Sequence, residues 1–298
     1  MRESFRFNPK KESPDQEMQT LEKAMNKIEE RKTSLNEIDM NNFEDLYERK
    51  FIEIDLDYVK DKEEEFEEDR VRGKEKEEMR GRVMEAITIF YLSRWLGENV
   101  SARKSSRYDD IRNKVDAIAE INEESRKEIL ALAVDVAHVD RGFDRQGNPG
   151  RNITKKLAKI KEEIAQGKLS MIKYYESADG KTRKKLTRIP RVVIGEDKET
   201  LGELAELWVE NEEKLAHHPI QYQIVDEIIQ QLETFSQYAQ KIGRTNLSAI
   251  FQKQLGIFRR IAERKERSDS QSVDRSYRQN DRAYLALRES LRNFSNLK

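Results

Sequence analysis

The chain has 298 residues, 57 of them Lys or Arg and 58 Asp or Glu, so 39% carry charge, 36% are hydrophobic and the formal net charge is −1. About a quarter charged is usual for a globular domain, so the apolar residues cannot enclose the whole chain, and solvated helix or disordered arm is expected. The length allows one large domain or about two ordinary ones, and no apolar run approaches the ~20 residues of a membrane span. The N-terminal stretch has no apolar h-region of a secretory signal, and with no cysteine and three histidines, disulfides, thiol chemistry and Cys-ligated zinc are excluded. Catalysis, if there is any, has to run on carboxylates, Lys and Arg, in what reads as a cytoplasmic protein.

The near-zero net charge hides segregation. Residues 37–69 hold fifteen acidic and four basic side chains, while 151–191 hold thirteen basic and four acidic. The acidic run reads as a solvated helix face. The basic run includes GKTRKKLTR at 180–188, which reads as a flexible loop. Lys181, Arg183, Lys184 and Lys185 there suit phosphate contacts with DNA or RNA, because such cations release condensed counterions.

Residues 1–17 read as a disordered arm. From Met18, Leu21, Met25 and Ile28 mark a charged amphipathic helix. Residues 36–60 suggest a helix followed by less regular chain, and 61–82 are nearly all charge with a breaker at Gly73. Val83–Leu96 is apolar on nearly every face, which a surface helix would not tolerate, and Gly97 supplies its stop.

Strand-like runs follow at 105–111, 115–121 and 128–139, with 115–121 and 128–138 expected as adjacent antiparallel strands. A Gly- and Asp-rich loop then leads into a helix carrying Leu157, Ile160 and Ile164 on one face. Residues 170–177 and 191–195 read as strands, and Thr200 with Glu203 reads as a capping box for the next helix. Pro219 opens a long helix whose stripe of Ile220, Ile224, Ile228, Leu232 and Phe235 fits core packing, with a dimer interface as the other use. Residues 246–267 read as helix, followed by a polar hinge and a last helix.

These elements predict an α/β (α+β) fold: a mixed four- to five-stranded sheet flanked by helices, with long helical N- and C-terminal extensions. The expected divisions are an arm over 1–17, a charged helical extension over 18–75, a core over 76–215 and a helical C-terminal region over 216–298. Homo-oligomer formation through the helical ends is compatible with this layout.

Two acids sit in the strand pattern, Asp116 at the head of an apolar strand and Asp135 inside ALAVDVA. A buried carboxylate needs a cation, a hydrogen-bond network or water. Side chains alternate along a strand, so a hairpin of these two segments brings both acids towards one end of the sheet. Converging carboxylates without His or Cys are the ligand set of a hard cation such as Mg²⁺ or Mn²⁺. The alternative is that Asp116 caps a turn and Asp135 pairs with an Arg or Lys of the neighbouring helix.

The leading helix, NKVDAIAEI, LALAVDVAHV, the crossover helix and the strands SMIKYYES and RVVIG together resemble the PD-(D/E)XK nuclease superfamily over roughly residues 76–210. The resemblance implies a restriction-endonuclease-like core and a metal-dependent nuclease, with Asp116 and Asp135 as catalytic acids and metal ligands. It places the carbonyl of Val136 next to the metal and lets Glu85 match, loosely, an extra acid used by some branches. Where the family pattern has Lys, two residues after the acid, this chain has Ala137. Some branches carry that Lys on the following helix, where Lys155 and Lys156 stand, and Lys156 lies nearer the packed face. The alternative function is a catalytically inactive nuclease-fold protein, or a helical interaction or adaptor protein.

Overall fold

The computed structural model describes residues 14–31, 37–68, 75–122, 130–139, 151–268 and 281–297. The expected arm over 1–13, the breaker at Gly73, most of the Gly- and Asp-rich loop and the polar hinge lie outside the described residues. Residues 14–17, expected as part of the arm, are helical, because Pro14 already opens helix α1 (Pro14–Glu30). Its Leu21, Ala24 and Ile28, one turn apart, are buried in the main core, and α1 rests on α3 (Glu75–Leu96) and α6 (Lys198–Glu210). The segment expected as a charged extension therefore begins with a core helix.

A 3-10 turn at Met40–Phe43 precedes α2 (Arg49–Glu68), which buries only Ile52, Asp55 and Val59 and leaves the acidic face in water. Helix α3 starts at Glu75, before the apolar stretch. Glu75, Glu77 and Glu78 in its first turn complement the helix dipole, so charge extends the helix there instead of ending it. It stops at Gly97, whose φ of +109° an L side chain rarely adopts.

Among the described residues the sheet has four strands: β1 (Val100–Lys104), β2 (Ala117–Ile121), β3 (Leu130–Val139) and β6 (Arg191–Asp197), in that order. The first three are antiparallel neighbours, and β6 runs parallel to β3. The fold is thus a mixed α+β one, with β2 and β3 adjacent and antiparallel as expected. Residues 105–111 form no strand: Ser106 caps α4 (Arg107–Asn113), its hydroxyl accepting from the Asp109 amide. The segment 180–188 is a turn only over 180–182, because Arg183–Ile189 is strand β5, paired with β4 (Ser170–Glu176) in a separate two-stranded sheet. The cap of α6 is Asp197, which accepts from Thr200 N, and Thr200 lies inside the helix.

Helix α5 (Arg151–Ala165) is part of the crossover between β3 and β6. After α6 come α7 (Glu212–Ala216), α8 (Ile220–Lys241), α9 (Thr245–Ser268) and α10 (Arg282–Arg292). Two apolar layers sandwich the sheet. Leu132 and Val134 join α3, α5 and α8 in one, while Ala131 and Ala133 meet Tyr174, Phe43 and Ile52 in the other. The stripe of α8 is consumed by the first layer. Helix α8 also covers the outer edge of β6: the Gln231 side chain accepts from Val193 N at 2.8 Å and donates to Val193 O at 2.7 Å, as a neighbouring strand would.

Asp109 ties the second layer together. Fully buried, it accepts from the amides of Lys173 (2.8 Å) and Tyr174 (3.0 Å), from Asn113 Nδ2 and from the Ser106 hydroxyl. The β4–β5 hairpin is thereby pinned to α4. Among the described residues no helix is long and apolar enough to cross a membrane.

Candidate functional site

The hairpin register of β2 and β3 decides where the two acids go. Asp116 sits one residue before β2, its amide donating to Val134 O at 3.0 Å and its Oδ2 accepting from Val136 N at 2.6 Å. The carboxylate is therefore held against the backbone of β3 beside Asp135. Burial first, and the Asp135 charge second, push the Asp116 carboxyl well above the usual range, with Lys156 opposing the rise.

Helix α5 delivers the cation. Leu157 and Ile160 are buried in the main core, so the residue before Leu157 is carried to the helix flank facing the sheet. The ammonium of Lys156 contacts Asp135 Oδ1 and donates to the Val136 carbonyl at 3.0 Å. Lys155, a hundred degrees further round, is exposed. Ala137 is buried in the same apolar layer as Ile153 and Leu157 of α5, so a long cationic side chain at that strand position would run into packed core.

On its other side Asp135 meets Arg191, at the head of β6, with Nη1 3.9 Å from Oδ2. That guanidinium is almost wholly buried, donates at 2.9 and 3.0 Å to the two oxygens of Glu163, and reaches Lys114 O at 3.3 Å. Lys159, one turn beyond Lys156, completes a cationic rim; burial and the repulsion of Arg191 lower its pKa.

Glu85 lies near enough that its charge adds to the rise at Asp116, but its ion pair is with another cation. It pairs with Lys104 at 3.3 Å, and burial raises its pKa. Among the described residues no three acids or histidines are gathered closely enough to grip a metal ion. Of the expected ligands the structure thus brings together Asp116, Asp135 and the Val136 carbonyl, with Lys156 between the last two. This all-oxygen donor set suits a hard divalent cation, and the ammonium already takes up a cation's place on it.

Of the basic residues at 180–188, Lys181 and Lys185 are exposed on the hairpin and Lys184 is half-buried. Arg183 donates to Glu176 at 2.7 Å, and Lys181 lies 3.3 Å from Asp179. The rigid hairpin consequently presents fewer free cations than its composition implies. His218 is buried between α7 and α8, 3.3 Å from Glu203. Arg191, Glu163 and Lys159 were missed in the sequence. The available signal was a charged side chain opening an apolar strand, and a K-x-x-K-x-x-x-E spacing along one face of α5.

No protein-family model, curated protein or solved structure matches the chain.

Proposed function

We propose that the chain is a metal-dependent phosphodiester hydrolase of nucleic acid on a restriction-endonuclease-like core, with the strand lysine replaced by Lys156 from the crossover helix. The observation that carries the reading is the contact of the Lys156 ammonium with both Asp135 and the Val136 carbonyl, next to an Asp116 that binds Val136 N–H. Asp116, Asp135 and the Val136 carbonyl would hold Mg²⁺ or Mn²⁺, which when bound lowers the pKa of water and offsets charge at the phosphoryl group. Arg191 keeps Asp135 from turning away from the site. Lys156 gives up its contact with Asp135 and directs its N–H groups at the oxygen that attacks and at the phosphate charge that develops. Lys159 and the exposed lysines of the hairpin would bind flanking phosphates, which position the strand without reading its sequence.

A second reading has its own observation: Lys156 and Arg191 already compensate Asp135, as in a nuclease scaffold whose site has become structural. Cleavage of single- and double-stranded substrates in Mn²⁺ separates the two. The wild type and Lys155→Ala should cleave, while Asp135→Asn and Lys156→Ala should each lose about 10²-fold or more. An inert wild type, or a Lys156→Ala variant as active as wild type, overturns the proposal.

A further inference from the structure

At the far end of β6 from Arg191, four acids meet, and no cation of the described residues is placed among them. Glu196 and Asp197 end the strand, Glu227 comes from α8, and Asp281 stands at the start of α10. Glu196 and Glu227 are completely buried, as is Gln223, whose Nε2 donates to Glu196 Oε2 at 3.3 Å and to Glu227 Oε1 at 3.2 Å. The remaining oxygens, Glu196 Oε1, Glu227 Oε2 and Gln223 Oε1, are buried without a hydrogen-bond partner. No Lys or Arg among the described residues pairs with any of the four acids.

Two of the acids have hydrogen-bond donors ranged around them. Asp197 and Asp281 cap each other's helices: Asp197 accepts from Thr200 N and Arg282 N, and Asp281 accepts from Tyr284 N, Asp197 N and the Thr200 hydroxyl. Both therefore sit at the positive ends of α6 and α10. Glu196 lacks such a helix end, and Glu227 has the Gly195 amide and Gln223 to oppose its rise. Among the described side chains, the charged groups facing them are further acids, Asp281, Asp197 and Asp226, and His138 pairs with Glu196 in the strand register. Helix α5 packs along β6 at both ends, through Glu163 on Arg191 and through Ile153 against Gly195, the residue before Glu196. Since the acids are not gathered as a metal site, protons are the compensation that fits without rearrangement.

We propose that the junction of β6, α8 and α10 is a proton-operated latch: Glu196, Glu227 and Asp281 share protons while α10 is docked, and their ionisation as pH rises loosens the C-terminal helix. Burial, then the neighbouring carboxylates, push Glu196 and Glu227 well above the ordinary range, and burial with Asp197 brings Asp281 to about 6. The folded junction thus binds more protons than the unfolded chain. Its contribution is fully present below the ordinary carboxyl pKa and is lost as pH rises through the raised values. Helix α10 is the element that yields, because β6 is fixed in the sheet and α8 is fixed by its own apolar stripe. Loosening it removes the Ser290–Thr154 contact at 3.4 Å and the Lys161–Leu297 O bond at 2.6 Å, both of which brace α5.

Hydrogen-exchange protection of the α10 amides tests this in the full chain, read as protection factors between pH 5 and pH 8. In the wild type, protection should fall by up to about tenfold per pH unit for each proton released. Glu196→Gln with Glu227→Gln supplies neutral groups of equal shape and should hold α10 protection at pH 8 within a few-fold of its pH 5 value. Wild-type protection that is flat with pH overturns the latch, and so does a double variant that follows the wild type. Recovery of wild-type protection at pH 8 on adding Mg²⁺ alone also overturns it, since it identifies a cation site instead. If the double variant does not fold, Glu196→Gln alone makes the same comparison.

Discussion

Replacing Asp135 by Ala sets two structural terms against each other. Asp135 is 5% exposed and compensates Lys156 and the buried Arg191. Breaking a buried pair by removing one partner costs about 3–5 kcal/mol. Here the cost is at the low end or below, because Arg191 keeps both bonds to Glu163 and the Lys156 side chain, 25% exposed, can turn to water. In the other direction, removing Asp135 relieves its repulsion of Asp116, whose pKa should fall back towards the usual range. The net expectation is a loss of ~2 kcal/mol, with Lys156→Met losing ~1 kcal/mol and the double variant showing a coupling of about 1 kcal/mol or more. Urea unfolding is the assay, with the slope m unchanged so that midpoints report stability. A neutral or stabilising Asp135→Ala would refute the balance drawn here, since it would mean that repulsion between the two acids outweighs the cationic pairing.

Three further outcomes follow from the same geometry. Asp109→Ala strips four acceptor contacts from the α4–hairpin junction and should cost ~3–5 kcal/mol in urea unfolding; a loss under about 1 kcal/mol would contradict the pinning role. Gly195→Ala would put a Cβ 3.3 Å from Ala137 O and 3.4 Å from Ile153 Cδ1 between β6 and α5, with an expected cost of ~1–3 kcal/mol and a contrary result if it is neutral. The raised Asp116 carboxyl must lose its proton before it can hold a cation, so the apparent Mn²⁺ affinity should increase as pH rises through that raised value; an affinity independent of pH between 5 and 8 would exclude Asp116 as a ligand.

The elements that position the site were legible where one physical signal dominated. The unbroken apolar face of Val83–Leu96, the alternation in 115–121 and 128–139, and the stripe of Leu157 and Ile160 each have a single reading. That stripe also put Lys156, rather than Lys155, towards the carboxylates. Local signals misled where two elements share a pattern. SSRYDDI alternates like a strand, but Ser106 followed three residues later by Asp109 is also a helix cap, and burial of Asp109 under the hairpin favours the helix. Residues 180–188 look loop-like from charge alone, although Leu186 and Ile189 supply the buried side of a strand. Arg191, Glu163 and the acids around Glu196 meet through tertiary contacts between distant segments, and no local period encodes such meetings. Glu196 in particular follows the run read as a strand by one residue, where a surface acid would be expected.

The central claim is that Asp116, Asp135 and the Val136 carbonyl form one cation site from which Lys156 can withdraw. Diffraction from crystals soaked in Mn²⁺, collected for anomalous scattering, tests it most directly. One Mn²⁺ peak bounded by these three groups is expected, with the Lys156 ammonium displaced from Asp135. A saturating soak that leaves no peak there, with Lys156 still on Asp135 and Val136, would contradict it.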